Sequence, residues 1–163
     1  IYHMSTTNLS NYDPTTIPDA TGKRVAIVVS EWNDQVTNSM AQGAIDTLKE
    51  YGVRDEDILV EYVPGSFELI YGCNRMLQTE ELDAILAIGC IVQGETPHFD
   101  YLSQSVAVNL GKLNADTIDV PIIFGVLTTN TMEQATDRSG GKHGNKGIEA
   151  AITALKLIGR FGK

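Results

Sequence analysis

The sequence predicts an α/β protein, a three-layer α/β/α sandwich built on a four-stranded parallel sheet. Two observations carry that prediction. Apolar stretches at residues 24–30, 58–63, 84–92 and 121–127 are short, nearly continuous and bounded by turn residues, as strands covered on both faces are. The segments between them space their apolar residues at three and four, so helices alternate with strands and can carry the chain across from one parallel strand to the next. At 163 residues the chain suits one domain, assigned to residues 23–163 and large enough to bury roughly two-thirds of the surface its unfolded form exposes.

Taken in order, residues 1–22 are polar, carry Pro14 and Pro18 and show no period. They read either as a disordered tail or as an arm that pairs with a neighbour's sheet edge, since an open sheet leaves edges to be covered. Strand 24–30 leads into a helix from near Asn33 to Gly52, with Val36, Met40, Ala44, Ile45 and Leu48 on one face. After strand 58–63, Phe67, Ile70, Cys73, Met76 and Leu77 line a second helix. Gly94 breaks the third strand, Thr96 is a good N-cap, and Pro97 suits the first helical position. The helix that follows runs to about Ala115, with Phe99, Leu102, Val106, Leu110 and Leu113 inward. Beyond strand 121–127, Thr131 and Gln134 form a capping box for a fourth helix. A glycine-rich loop at 140–147 interrupts it, and Ile148, Ala151, Ile152, Leu155 and Ile158 make a closing amphipathic helix.

A net charge of −9 argues against nucleic acid, whose binding rests on neutralising phosphates with Lys and Arg. No apolar run approaches the ~20 residues of a membrane helix. Residues 1–3, ahead of Met4, read as processing remnants, without a targeting pattern beside them. Cys73 and Cys90 both sit in apolar segments and read as reduced, buried thiols of a cytoplasmic protein. His3, His98 and His143 are the three histidines, and neither they nor any Cys or Glu cluster has ligand spacing, so no metal is expected. The run from Ser139 to Gly147 lacks a Gly-Lys-Ser/Thr after a strand, and no G-x-G-x-x-G follows the first strand; triphosphate and dinucleotide binding are therefore not expected.

In sheets of this kind ligands bind outside the carboxyl ends of the strands. That rim comprises Glu31 to Asn33, Pro64 to Glu68, Gly94 to His98 and Leu127 to Thr131. His98 falls in the first turn of a helix, where free N–H groups and the positive dipole end can hold an anion beside an imidazole able to move protons. Asp100 complements the same dipole. Cys90, within an apolar strand, is read as packing rather than as a nucleophile. Trp32, directly after a strand, can stack on a flat heterocycle. Arg138 either settles a helix's last turn or clamps a phosphate. Phe124, inside an apolar strand, is on local grounds a core residue.

Four motifs in order, Pro64-Gly65-Ser66-Phe67-Glu68, Gly94-Glu95-Thr96-Pro97-His98-Phe99-Asp100-Tyr101, Phe124-Gly125-Val126-Leu127-Thr128-Thr129 and Arg138 through Gly147, resemble the 6,7-dimethyl-8-ribityllumazine synthase family. The resemblance covers residues 25–157 and implies a flavodoxin-like fold. It also implies condensation of 5-amino-6-(ribitylamino)uracil with 3,4-dihydroxy-2-butanone 4-phosphate, without a cofactor, as the penultimate step of riboflavin biosynthesis. By the same resemblance Trp32 stacks on the pyrimidine, and Ser66, Phe67, Glu68, Cys90, Ile91 and Val92 line the pyrimidine and ribityl pocket. Glu95, Thr96 and Arg138 bind phosphate, with Lys146 near it, and His98 transfers protons. Phe124 belongs to a site shared between subunits.

This chain departs from the family pattern at Trp32, where phenylalanine is common, and at Gln93, where many members carry Arg or Lys. The short segment 140–145 resembles members that form pentamers assembled into a sixty-subunit icosahedral shell, and riboflavin synthase is an implied partner. Two other readings remain at this stage: a flavin-binding module of flavodoxin type, and a shell-forming paralogue without catalysis.

Overall fold

A computed structural model describes residues 8–162. Four strands, β1 (Val25–Ser30), β2 (Ile58–Val63), β3 (Ala84–Val92) and β4 (Ile122–Thr129), form one sheet in the order β2-β1-β3-β4. All neighbours are parallel, with Val25 opposite both Ile58 and Ala84, and Ile85 opposite Ile122. Every residue of β1 is buried, and so are all but the last of β3, which explains why both read as unbroken apolar runs.

Side chains alternate between two cores. Ile27, Val29, Leu86 and Ile88 meet α1 (Asp34–Glu50) and α5 (Lys146–Phe161) through Met40, Leu48, Ala151 and Leu155. Ala26, Val28, Ile85 and Ala87 meet α2 (Leu69–Thr79) and α3 (His98–Asp116) through Leu69, Cys73, Val106 and Leu110. The predicted three-layer α/β/α sandwich is therefore present. Because β1 leads outward to β2 while β3 leads the other way to β4, the chain reverses direction between β1 and β3. The carboxyl ends of those two strands flank the crevice where a ligand can reach the backbone.

Several local expectations need correction. Phe67 does not face the core: it lies in a single 3-10 turn, Ser66–Glu68, and is 53% exposed, while Leu69 is fully buried in the place assigned to it. The turn winds tighter than an α-helix, so the inward face shifts. Thr96 does not cap α3; Pro97 occupies the N-cap position and no side chain caps that end. Pro97 nevertheless accepts through its carbonyl from the N–H groups of Asp100 and Tyr101, at 3.1 and 3.4 Å. Phe124 is not core: it stands 40% exposed on an edge strand between buried neighbours.

Thr131 does cap the short α4 (Met132–Asp137), accepting from Gln134 N–H at 3.1 Å, but the Gln134 side chain reaches past it to Asn130 N–H at 2.9 Å. The glycine-rich stretch is a small antiparallel hairpin, β5 (Ser139–Gly141) and β6 (Gly144–Asn145), rather than a bare loop. Asn145 then caps α5 through Gly147 and Ile148 N–H.

Residues 8–22 follow the body of their own domain. Ser10 exchanges hydrogen bonds with the Asn145 backbone at 2.9 and 2.7 Å, Tyr12 meets Tyr51 through their hydroxyls at 3.2 Å, and Ala20 is buried. Residues 1–7, including His3 and Met4, which were expected to be processing remnants and part of the arm, lie outside the described residues.

Candidate active site

Three connections meet at the crevice between β1 and β3. Beyond β1 the ladder continues: Glu31 N–H donates to Val63 at 2.8 Å and Trp32 N–H to Pro64 at 3.0 Å, which fixes the Trp32 backbone against the loop after β2. Asn33 takes the left-handed conformation, φ 61°, which Asn tolerates better than most residues, and its side-chain amide donates to the Cys90 carbonyl at 3.0 Å. This side chain clips the β1 loop to the end of β3.

Gly65 is required where it stands. A Cβ there would lie 2.6 Å from Trp32 Cε3 and Cζ3, so only the missing side chain lets the indole rest against the loop. Gly65 N–H donates to Glu68 Oε2 at 3.2 Å, which holds the Glu68 carboxylate at the same turn.

Trp32, Ser66, Phe67, Glu68, Cys90, Ile91, Val92, Thr96 and His98 all line one hollow of about 630 Å³, together with Asn33, Gly94, Phe99 and Leu102. Trp32 and Phe67 stand 65% and 53% exposed, apolar faces that a flat ligand can cover. His98 is the first residue of α3, and with no side-chain cap the leading N–H groups of that helix are open to an anion. Burial pushes the Cys90 thiol up to about 11, so it stays protonated near neutrality and is unsuited to act as a nucleophile. Glu95 is exposed at the helix approach and is not among the lining residues.

Phe124, Arg138 and Lys146 lie elsewhere. They line a second hollow, of about 340 Å³, between the end of β4 and the start of α5, with Thr128, Thr129, His143 and Glu149. No lining residue is common to the two hollows. The expected single rim is thus divided within one chain: the loops after β1, β2 and β3 share one hollow and the β4 end faces another. Arg138 is the C-cap of α4 and donates one guanidinium N–H to the Gln134 carbonyl at 3.2 Å, which agrees with its helix-end reading. Burial raises the Glu149 carboxyl and neighbouring Lys146 opposes that rise. Lys142 instead pairs with Asp137 at 3.3 Å.

Sequence reasoning placed Asn33 on the rim without giving it a role, and missed His143 and Glu149 as lining residues. Asn33 carried a usable signal, an αL-tolerant residue between a strand and a helix. His143 and Glu149 carried none, because only the folding of the β5–β6 hairpin onto α5 brings them beside Arg138.

The arrangement therefore offers an aromatic slot with an imidazole and an open helix end, and a separate cationic hollow. The sequence profile of the 6,7-dimethyl-8-ribityllumazine synthase family matches residues 22–161. The chain belongs to this family. Proteins named 6,7-dimethyl-8-ribityllumazine synthase are 56% identical to it in Christiangramia forsetii (92% of this chain, 89% of that protein) and 55% identical in Bacteroides fragilis (83% and 94%). A third, in Phocaeicola vulgatus, is 52% identical over 93% of this chain and 89% of its own length. All four motifs that carry the resemblance fall inside the span matched to the lumazine synthase family, and each hollow draws part of its lining from them.

Proposed function

We propose that this protein condenses 5-amino-6-(D-ribitylamino)uracil with L-3,4-dihydroxy-2-butanone 4-phosphate to give 6,7-dimethyl-8-ribityllumazine, phosphate and water. Membership of the lumazine synthase family carries this reading. The geometry of the Trp32–His98 hollow supports it. The pyrimidine stacks on Trp32, with Ser66, Phe67, Glu68 and the strand end Cys90, Ile91 and Val92 along the base and its ribityl chain. Glu95 and Thr96 bring the helix start to the phosphate, which Arg138 and Lys146 meet from the cationic side.

The 5-amino group attacks the ketone and water leaves to give an imine. Phosphate is then eliminated, and the ribitylamine nitrogen closes the ring onto the remaining carbonyl with loss of a second water. His98 serves these transfers as base and then as acid. Arg138 and the α3 N–H groups stabilise the departing phosphate's charge. Holding two reactants in register contributes up to about 7–11 kcal/mol of the acceleration, so the chemistry proceeds without a cofactor.

The complete site is assembled from two chains. Its two halves occupy separate hollows of one subunit, and Phe124 is 40% exposed on the β4 edge, beside a larger groove of about 730 Å³ along α5. A ring closes such a heterologous contact, and a pentamer joined into an icosahedral shell is the assembly we propose. Residues 23–163 form the catalytic domain and residues 1–22 its arm. The enzyme acts in the cytoplasm, with riboflavin synthase, the consumer of its product, as partner. An optical assay of lumazine formation from the two substrates, run beside native mass measurement, tests these statements. Stoichiometric bound flavin without turnover would instead support a flavin-binding module, and a lone pentamer would exclude the shell.

A further inference from the structure

Ser66 Oγ, in the wall of the Trp32–His98 hollow, and Ser30 Oγ, at the end of β1 and outside that lining, are buried without a hydrogen-bond partner among the described residues. Both residues are more than nine-tenths buried, Ser30 at 1% and Ser66 at 6% exposure. Both also lie close to one spot. A methyl group at Gly89 would lie 2.7 Å from Ser66 Oγ, 3.5 Å from Ser30 Oγ and 2.9 Å from Leu69 Cδ1. Ser30 is the last residue of β1, on the face that also carries Val28 and Ala26, and Gly89 follows Ala87 on the same face of β3. The apolar layer thus ends, at its ligand side, in two serines around a glycine.

Burying a hydroxyl unpaired costs about as much as losing a hydrogen bond, and a pair left so side by side calls for a shared partner. Alanine or valine at position 30 would remove the problem and continue the apolar layer. We infer that Ser30, Ser66 and Gly89 frame a binding site for one buried water molecule, which bridges the two hydroxyls and fixes the direction in which Ser66 meets the ligand. Such waters take two to four polar partners, and the two hydroxyls supply the first two. Ser30 is then a positioning residue: shielded beneath the hollow, it acts on the ligand only through the water and Ser66. The water site stands on the geometry alone, whereas its effect on the substrate rests on the function proposed above.

The test joins a crystal structure at about 1.5 Å resolution with substrate titrations of the assembled wild-type protein, Ser30→Ala and Gly89→Ala. Density for a water within hydrogen-bond distance of both hydroxyls is expected in the wild type and is lost in both variants. One weakened hydrogen bond corresponds to a roughly 2–10-fold rise in the dissociation constant for the pyrimidine in Ser30→Ala. The KM for the phosphate ester should stay within about twofold, a split that general loosening of the fold would not produce. Ser30→Thr, which restores the hydroxyl, should recover the water and the affinity if the added methyl is accommodated; where it is not, the Ala variants decide. Two dry hydroxyls in the wild type, or unchanged pyrimidine affinity in a Ser30→Ala protein that has lost the water, would overturn the inference. A wild type that holds the water and fails to bind the pyrimidine would instead refute the substrate assignment.

Discussion

Two defective chains should repair each other. His98 and Arg138 line different hollows of one subunit, with no lining residue in common, and in the proposed shared site they come from adjacent chains. Removing an acid–base group lowers turnover about 10²–10⁴-fold. Removing a charged hydrogen-bond donor costs about 1.5–3 kcal/mol, roughly 10–100-fold in phosphate-substrate use. Particles made only of His98→Ala or only of Arg138→Ala chains should therefore be nearly inactive at low phosphate substrate. In particles assembled from equal amounts of both, the chance that a site receives an intact His98 from one neighbour and an intact Arg138 from the other is roughly one in four by random mixing in a closed ring. Co-expression with two affinity tags, sequential purification and the optical assay would measure this. Activity near a quarter of wild type is expected. A mixed particle, verified by mass, that shows only the average of its two inactive parents would refute the shared site.

Three further outcomes follow from particular contacts. Gly65→Ala puts a carbon 2.6 Å from the Trp32 ring and should displace the indole; loss of stacking predicts an approximately tenfold weaker pyrimidine affinity. Trp32 is the single tryptophan, so its fluorescence reports this directly, and riboflavin should quench it in the wild type; an unchanged titration in the variant would count against stacking. Asn145→Ala removes an N-cap that accepts from Gly147 at 2.8 Å and donates to Ser39 at 3.2 Å. It should lower stability by about 2 kcal/mol, read as an earlier denaturant midpoint; an unmoved midpoint would show that α5 needs no such cap.

Burial pushes the Cys73 thiol up to about 12. Since the unfolded chain releases that proton at lower pH, stability is fully present below about pH 8.5 and falls as pH rises toward 12, by up to about 1.4 kcal/mol per unit. Denaturation measured against pH should show this slope, to which the Cys90 thiol, pushed up to about 11 by burial, adds its own part; Cys73→Ala should therefore make the decline shallower without abolishing it, and an identical alkaline decline in the variant would assign the slope to other groups.

Local sequence was enough for the strands because β1 and β3 are covered on both sides and tolerate little but apolar residues. It was enough for α1, α3 and α5 because each turns one apolar stripe inward. It was also enough to bring Trp32, Ser66, Thr96 and His98 to one crevice, since strand ends in a parallel sheet gather the loops that follow them. It failed where a turn tightened, as at Phe67, and where a backbone carbonyl replaced an expected side-chain cap, as at Thr96 and Pro97.

By itself the sequence determined the layer order, the aromatic and histidine positions beside the β1–β3 crevice, and the family to which the chain belongs, because periodicity, strand-end placement and motif order are all properties of the linear chain. Only the tertiary structure decided that Phe124 is exposed on an edge, that Arg138 and Lys146 share a hollow separate from His98, and that Ser30, Ser66 and Gly89 converge. Those facts depend on which strand lies at the edge of the sheet and on how the β5–β6 hairpin and α5 fold back across it. Such separations in space leave no trace in local spacing.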